Sequence, residues 1–522
     1  MKRIAIVGGG VAGLSAGIYA AQNGFDPLIL EQHRIPGGLC TGWDRRGPSG
    51  RFTMEGCIHY VLGLAGTGPF RRMWDELGVD RPVLPASELF TLRHPSGAAL
   101  PVCADTDELA ARMRAISPGD APAISRFVSD VKLFARYELP IDAPAEIPRW
   151  DKLASLGRHY PAFLASFLRY RFTSARAYAR RFRHPVLRWA VARLGSYPDY
   201  PAVWMLMILS RMHRGEAGYP IGGSLELSYD LEERLLELGG TIRYGTRVVG
   251  LRTYGRAANG VLLDTGEIVD ADVVLSAGDL RATLEWMRDA RIPSRSHELM
   301  LAALRPGRAV AQVSLGVLVA SDDGPLVARL SADEGASLVL YPDRPLAGMP
   351  AYRMVVRRYH DETLAPNRCR VITCQIETDF AAWAANGGDR GRYRTAKQRL
   401  AGEVIRFLER TGPRIAECVE VTDVATPLTT ERYTLNYRGS VHGTRPDRVG
   451  FAWPASYRGP RGSRLFFAGH WLCPGGGIHR AAQSGRYAIQ TICAALGRDF
   501  RAAPARSAFA GPALLPDRRC VV

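Results

Sequence analysis

A short uncharged run, Ile4-Ala5-Ile6-Val7, passes directly into Gly8-Gly9-Gly10-Val11-Ala12-Gly13, and no other feature limits the possible folds of this chain as tightly. The run suits a strand buried on both faces, and the glycines fit G-x-G-x-x-G. The alanine-rich stretch 14–23 reads as a helix closed by Gly24, and Leu28-Ile29-Leu30 reads as a second buried strand ending at Glu31. Each piece has a separate role in a βαβ unit that cradles a dinucleotide. Gly8 makes the tight turn, Gly10 lets backbone approach a pyrophosphate, and Gly13 packs helix on strand. The helix N-terminus turns its free N–H groups toward the phosphates. Glu31 is positioned to accept hydrogen bonds from an adenosine ribose, and a carboxylate there disfavours a 2′-phosphate.

Met1-Lys2-Arg3 ahead of the uncharged stretch 4–25 also resembles a signal peptide or a membrane span. Gly8, Gly9, Gly10, Gly13 and Gly17 within it and its Gln22-Asn23-Gly24 ending argue for the nucleotide unit instead. No other window approaches 18 uncharged apolar residues, so no transmembrane helix is expected. The 522 residues are 47% hydrophobic and 23% charged, which supports two or three units with a substantial core and excludes disorder, collagen or coiled coil for the whole chain. Nine cysteines stand singly with no CxxC pair. That disfavours a metal site or dithiol centre and suits reduced thiols in the cytoplasm.

The net charge of +17 implies an acidic partner. Ten of the bases and no acid lie within 152–193, interleaved with aromatics such as Tyr160, Phe163, Tyr170, Phe172, Tyr178 and Phe182. A basic, aromatic helical stretch suits docking on an anionic membrane surface. A solvated arginine-rich cap is the plainer alternative. No nucleic-acid motif accompanies it, and no nucleic acid is expected as a partner.

A second glycine pair, Gly37-Gly38, follows Glu31 closely, as it does in two-dinucleotide-binding flavoproteins, so FAD is expected over NAD. No second G-x-G-x-x-G occurs. Near the other end, Arg464-Leu465-Phe466-Phe467-Ala468-Gly469 reads as a strand ending in glycine. Gly475-Gly476-Gly477 then opens a helix at Ile478 that Gly497 stops. The free N–H groups of Gly476, Gly477 and Ile478, aimed at a flavin pyrimidine, would stabilise the negative charge of the reduced ring.

These ends, with Phe52-Thr53-Met54-Glu55-Gly56-Cys57-Ile58-His59-Tyr60, Gly218-Tyr219-Pro220-Ile221-Gly222-Gly223, Asp361-Glu362-Thr363-Leu364-Ala365-Pro366, Ala425-Thr426-Pro427 and Ser484-Gly485-Arg486, resemble the phytoene desaturase-like FAD-dependent oxidoreductases. Within that branch of the amine-oxidase superfamily, the carotenoid isomerase and retinol saturase-like members are the most similar.

The resemblance implies an α/β fold: a Rossmann-like two-dinucleotide-binding FAD domain woven from 1–85, 217–290 and 445–500, with an α+β substrate domain from 86–216 and 291–444. The tail 501–522 is expected to be loose. Val248 would offer its backbone to adenine, and 239–242 and 247–249 are expected to form a strand pair. The implied activity is hydride movement between flavin N5 and a C–C or C=C bond of an extended apolar substrate, by desaturation, saturation or isomerisation, with electrons passing to an external acceptor. Its setting would be cytoplasmic, peripheral on the inner membrane face. At His479-Arg480 the chain departs from the family, whose members usually carry proline followed by a small residue. This pair is the candidate for acid–base work or for binding a polar substrate end. His479 is expected to titrate near neutrality unless perturbed. Two other readings remain open: a flavin tailoring oxidase acting on an amine or polyketide-like metabolite, and a flavin-free lipid-binding escort.

Overall fold

The apolar run at the start of the chain becomes strand Arg3–Val7, the middle strand of a parallel sheet in the computed structural model. Residues 1–138, 160–303, 305–318, 337–410, 415–445 and 456–504 are described, with isolated positions 144, 147 and 158. The sheet runs Thr241–Arg243, Asp26–Leu30, Arg3–Val7, Val273–Ser276, Leu465–Phe467, and every neighbouring pair is parallel. Parallel strands need cover on both faces, which accounts for the unbroken apolar runs. Helix Val11–Gln22 buries residues 11–20 without interruption. It is wedged against two other helices at glycines. Gly17 faces Leu235 of helix Gly223–Glu237, and Gly485 of helix Ile478–Ala495 sits on the backbone of Ala12 and Ala16.

The expected pairing of 239–242 with 247–249 is not found. Thr241–Arg243 adds to the parallel sheet beside Asp26–Leu30, whereas Val248–Tyr254 joins an antiparallel sheet with Ala257–Leu263 and Ile268–Asp270. The chain does not reverse between them. Gly245 and Thr246 donate their N–H groups to His33 O (3.0 Å) and Glu31 O (2.9 Å), which carries the backbone across the end of strand Asp26–Leu30.

A seven-stranded sheet forms a second layer, in the order Val419–Ala425, Ala309–Leu318, Cys369–Thr378, Arg353–Arg358, Ser337–Leu340, Glu88–Arg93, Ala99–Cys103. It is antiparallel except where Ser337–Leu340 meets Glu88–Arg93. Helices Phe380–Gly387 and Arg390–Glu409 share one apolar core with it, and a separate core holds the helical part between Thr106 and His213.

The basic stretch 152–193 is mostly structural where it is described; 152–157 and 159 lie outside the described residues. Phe163, Tyr170, Tyr178 and Phe182 are core residues. Tyr170 and Tyr178 both donate to Asp130 Oδ2 at 2.8 Å, and the Arg181 guanidinium lies 4.2 Å from the Tyr178 ring centre and 3.4 Å from the same carboxylate. Arg193 lies 4.5 Å from the Trp189 ring centre. Aromatic spacing alone does not separate a core-facing helix from an interfacial one, and here the core takes most of the rings. The exposed remainder is an apolar stripe on helix Pro161–Arg171 and its cap, notably Leu168 and Phe172; Arg169 on the same helix and Arg180 and Arg183 further along the stretch are exposed too. Among the described residues no helix is long and apolar enough to cross a membrane.

The tail is not loose from 501. Arg501 N donates to Asn23 Oδ1 at 2.7 Å, and the Phe500 ring meets Tyr19. Residues 505–522 lie outside the described residues.

Candidate functional site

Three adjacent parallel strands deliver their C-terminal ends to one crevice, the position at which open α/β sheets hold ligands. Gly8 (φ +100°) follows the first, Gly278 follows Val273–Ser276, and Gly469 (φ +113°) follows Leu465–Phe467. A Cβ on Gly8 would meet the Ala277 carbonyl carbon and Gly278 N at 3.6 Å, and one on Gly469 would meet Ala277 O at 3.4 Å, so the three ends lie within van der Waals reach.

The fingerprint glycines separate into two kinds. A Cβ on Gly13 would collide with the carbonyl oxygen of Gly8, so this glycine serves helix-on-strand packing. Gly10 has φ −71°, open to any residue, and its Cβ would meet nothing nearer than Gly37 O at 3.7 Å. The protein therefore leaves open the space in front of helix Val11–Gln22, where a pyrophosphate would lie. Gly37 and Gly38 close the far side. Gly37 N donates to Gly9 O at 2.9 Å, and a Cβ on Gly37 would strike Cys40 O and Ser228 Oγ. Glu31 is 7% exposed and accepts from Gly9 N (2.6 Å) and His33 N (2.7 Å). Burial raises its carboxyl above the usual range, against the pull of those N–H groups. Val248 is buried just beyond the Glu31–Thr246 contact, at the sheet end where the adenosine half would extend.

At the opposite rim Gly475, Gly476 and Gly477 have φ +87°, +63° and +100°, a run of left-handed backbone that only glycine adopts freely. Gly477 caps helix Ile478–Ala495, and Ile478 packs on the main core. A Cβ on Gly476 would press on His442 at 3.3–3.4 Å. His479 and Arg480 are not among the side chains that line the main cavity. The His479 ring stands edge-on to Phe70 with centroids 4.9 Å apart, and burial and the Arg480 charge lower it to about 3. It is a neutral imidazole at pH 7, contrary to titration near neutrality. Arg480 bonds Gln483; burial works to lower it, and Cys473, Tyr457 and Tyr487 beside it leave it raised above its ordinary value.

The cavity beside this crevice, about 300 Å³, lies between the 36–45 segment and one face of the seven-stranded sheet. Side chains on that face alternate along the strands. Gln312 pairs with Gln375 and Val310 with Glu377 on one side, and Val355 with Gln375 and Arg353 with Glu377 on the other. Gln375 Nε2 donates to Gln312 Oε1 (3.0 Å), Gln312 Nε2 donates to Glu55 O (2.8 Å), and His59 Nε2 lies 2.9 Å from Gln375 Oε1. Burial and the charges of Arg357 and Arg353 lower His59 to about 3. His442 is lowered to about 4, chiefly by burial. Enclosed by protein but with open surface, it presents that surface to the cavity.

Glu55, 2% exposed, organises the approach: it accepts from Cys57 N, Ile58 N, Ser224 N and the Ser224 and Tyr219 hydroxyls. This explains why the 52–60 and 218–223 motifs travel together. Sequence reasoning missed Arg353, Gln375, Glu377 and His442. The available signal was Thr373, Gln375 and Glu377 at period two in strand Cys369–Thr378. Among the described residues no cluster of three or more His, Cys, Asp or Glu is arranged to hold a metal ion.

A family profile described as an NAD(P)-binding Rossmann-like domain matches residues 6–77. The chain is 24% identical to the 4,4′-diaponeurosporene oxygenase of Staphylococcus aureus, over 94% of this chain and 98% of the relative. It is also 24% identical to a 4,4′-diapolycopene oxygenase of Methylomonas sp., over 95% and 99%. Among solved structures, an oxidoreductase from Methanosarcina mazei superposes with a TM-score of 0.59 at 18% identity, covering 94% of this chain and 100% of its own. A putrescine oxidase variant superposes at 0.55 and 16% identity, covering 95% and 99%. The resemblance read from the motifs thus extends over nearly the whole chain.

Proposed function

On the premise that this chain is an oxidoreductase built on a Rossmann-type nucleotide domain, we propose that it binds FAD and moves a hydride between flavin N5 and a C–C or C=C bond of an extended, polyene- or isoprenoid-like substrate. The observation that carries this reading is the convergence of two glycine-lined helix starts, at Val11 and Ile478, on one crevice beside a cavity. The full-length likeness to enzymes named as carotenoid oxygenases supports the substrate class.

The residues present fit the cofactor. Gly10 leaves room for a pyrophosphate before a helix N-terminus, and Glu31 stands where a ribose would be held. Contrary to expectation the Gly476 N–H is taken, by Cys473 O at 2.9 Å, as the Gly475 N–H is by Thr444 O, so the N–H groups on offer to a ring that becomes negative on reduction are those of Gly477 and Ile478 at the helix start. A bound flavin would supply two-electron hydride exchange at N5. The protein's part is to hold the substrate carbon there, exclude water and keep nearby groups neutral. His59 and His442, both neutral at pH 7, are suited to that environment. Electrons would pass to an external acceptor.

A tailoring oxidase on an amine or polyketide-like metabolite stands second, favoured by the polar sheet face bearing Gln312, Gln375, Arg353 and Glu377. The escort reading has least support, because the Gly8, Gly10 and Gly13 turn is intact. The test is the absorption spectrum of purified protein, followed by anaerobic mixing with a C30 or C40 polyene. A flavin spectrum and its bleaching by substrate, with product analysis, are expected. Colourless protein that takes up no added FAD would overturn the proposal.

A further inference from the structure

One cavity group is left without a role by hydride movement on a hydrocarbon. Glu377 is 9% exposed and lines the cavity. Its Oε1 accepts from Arg353 Nη1 at 3.1 Å, across the neighbouring strand. Its Oε2 is buried and has no hydrogen-bond partner among the described residues. Leaving a buried carboxyl oxygen unpaired is destabilising, so a cavity that retains one is built to have it paired by something else. A hydrocarbon cannot do this.

We propose that Glu377 Oε2 is the binding point for an oxygen-bearing end of the substrate, a hydroxyl or carbonyl at the terminus of an apolar chain, with Arg353 fixing the carboxyl from behind. This rests on the reading of the cavity as the substrate site and narrows the substrate from a pure hydrocarbon to a polar-ended one. Burial pushes the Glu377 carboxyl up to about 8, against the charge of Arg445. At neutral pH the proton resides on Oε2, since Oε1 already accepts from Arg353, and Oε2 donates to the ligand oxygen. Charged or titratable groups that line the same cavity include Arg353 on one flanking strand, Lys397, His442, Asp423, Asp44, Arg45, Arg432 and His33; Arg308 precedes the other flanking strand, and the Arg445 charge acts on Glu377. His442, lowered to about 4, stays neutral above pH 6. Glu377, raised to about 8, changes its charge between pH 7 and 9.5.

The experiment compares farnesol with the hydrocarbon farnesene as ligands of the intact protein, by calorimetry, with flavin content measured in each sample. Wild type is expected to bind farnesol at least tenfold more tightly than farnesene at pH 7, with the ratio falling below threefold at pH 9.5. Glu377→Gln keeps an N–H donor without a titrating proton, so its preference for farnesol should persist at both pH values. Glu377→Leu should bind the two equally. Equal binding by wild type at pH 7, or an unchanged pH dependence in Glu377→Gln, would overturn the proposal. Flavin content separates the outcomes: loss of the farnesol preference with flavin present defeats this inference alone, and protein that never holds flavin defeats the function proposed above.

Discussion

At the scale of single residues, two glycines of one motif do different work, and mutation can separate them. Gly10 has ordinary backbone angles and open space where its side chain would be, so Gly10→Val should fold normally and lose the cofactor. Gly13→Ala drives a methyl into the carbonyl of Gly8, and overpacking of that kind costs about 1–3 kcal/mol. Flavin absorbance against melting temperature should therefore split the pair: Gly10→Val colourless with a melting temperature like that of flavin-free wild type, Gly13→Ala with a clearly lower one. Gly10→Val retaining full flavin would contradict the assignment. His479 illustrates the opposite limit. The sequence identified an unusual residue at a helix start beside the expected flavin. Which way its ring points depends on Phe70, some 400 residues away, and nothing local encodes that contact.

Among the elements, helix Pro161–Arg171 has its aromatic side claimed by the core, through Phe163 and Tyr170, and its other side left apolar, with Leu168 48% and Phe172 61% exposed. We propose that this stripe rests on anionic lipid with the help of exposed bases of the same stretch, Arg169, Arg180 and Arg183, each contributing about 1 kcal/mol near such a surface. Arg181 is excluded from that face by its tie to Asp130 and Tyr178. Flotation with anionic vesicles should recover the protein at low salt, lose it at high salt, and lose it in Leu168→Ser/Phe172→Ser. Replacing Arg181 should instead lower stability. Recovery that ignores salt and the stripe would leave these residues as plain surface.

Over the whole molecule, the nucleotide unit was legible because its signals are local: apolar run, glycines, helix, apolar run. The sheet-lined cavity was not. Its polar groups come from four strands and a loop whose register is set by pairing between distant segments, and a period-two polar stripe reads equally as a solvent face until the opposite layer is known. Burying so many polar groups has a consequence for stability. His33, His59, His297, His360, His442, His470 and His479 are all lowered, each with burial as the largest cause. A histidine lowered in the fold binds its proton more readily when unfolded, so its contribution is complete above the unfolded value of about 6.5 and declines as pH falls below it. Glu377, raised to about 8, runs the other way, favouring the fold as pH drops from 8 toward the ordinary carboxylate range. Glu31, Glu88 and Asp279 are raised by burial as well and act in the same direction as Glu377. Between pH 6.5 and 5 seven histidines oppose these four carboxyls, each group contributing up to about 1.4 kcal/mol per pH unit before solvent screening reduces it. Net proton uptake on unfolding is thus expected. Urea denaturation should give a smaller unfolding free energy at pH 5.0 than at pH 7.0, and His59→Gln, which can still bond Gln375, should flatten part of that slope. Equal or greater stability at pH 5.0 would mean that these rings already carry protons in the folded protein.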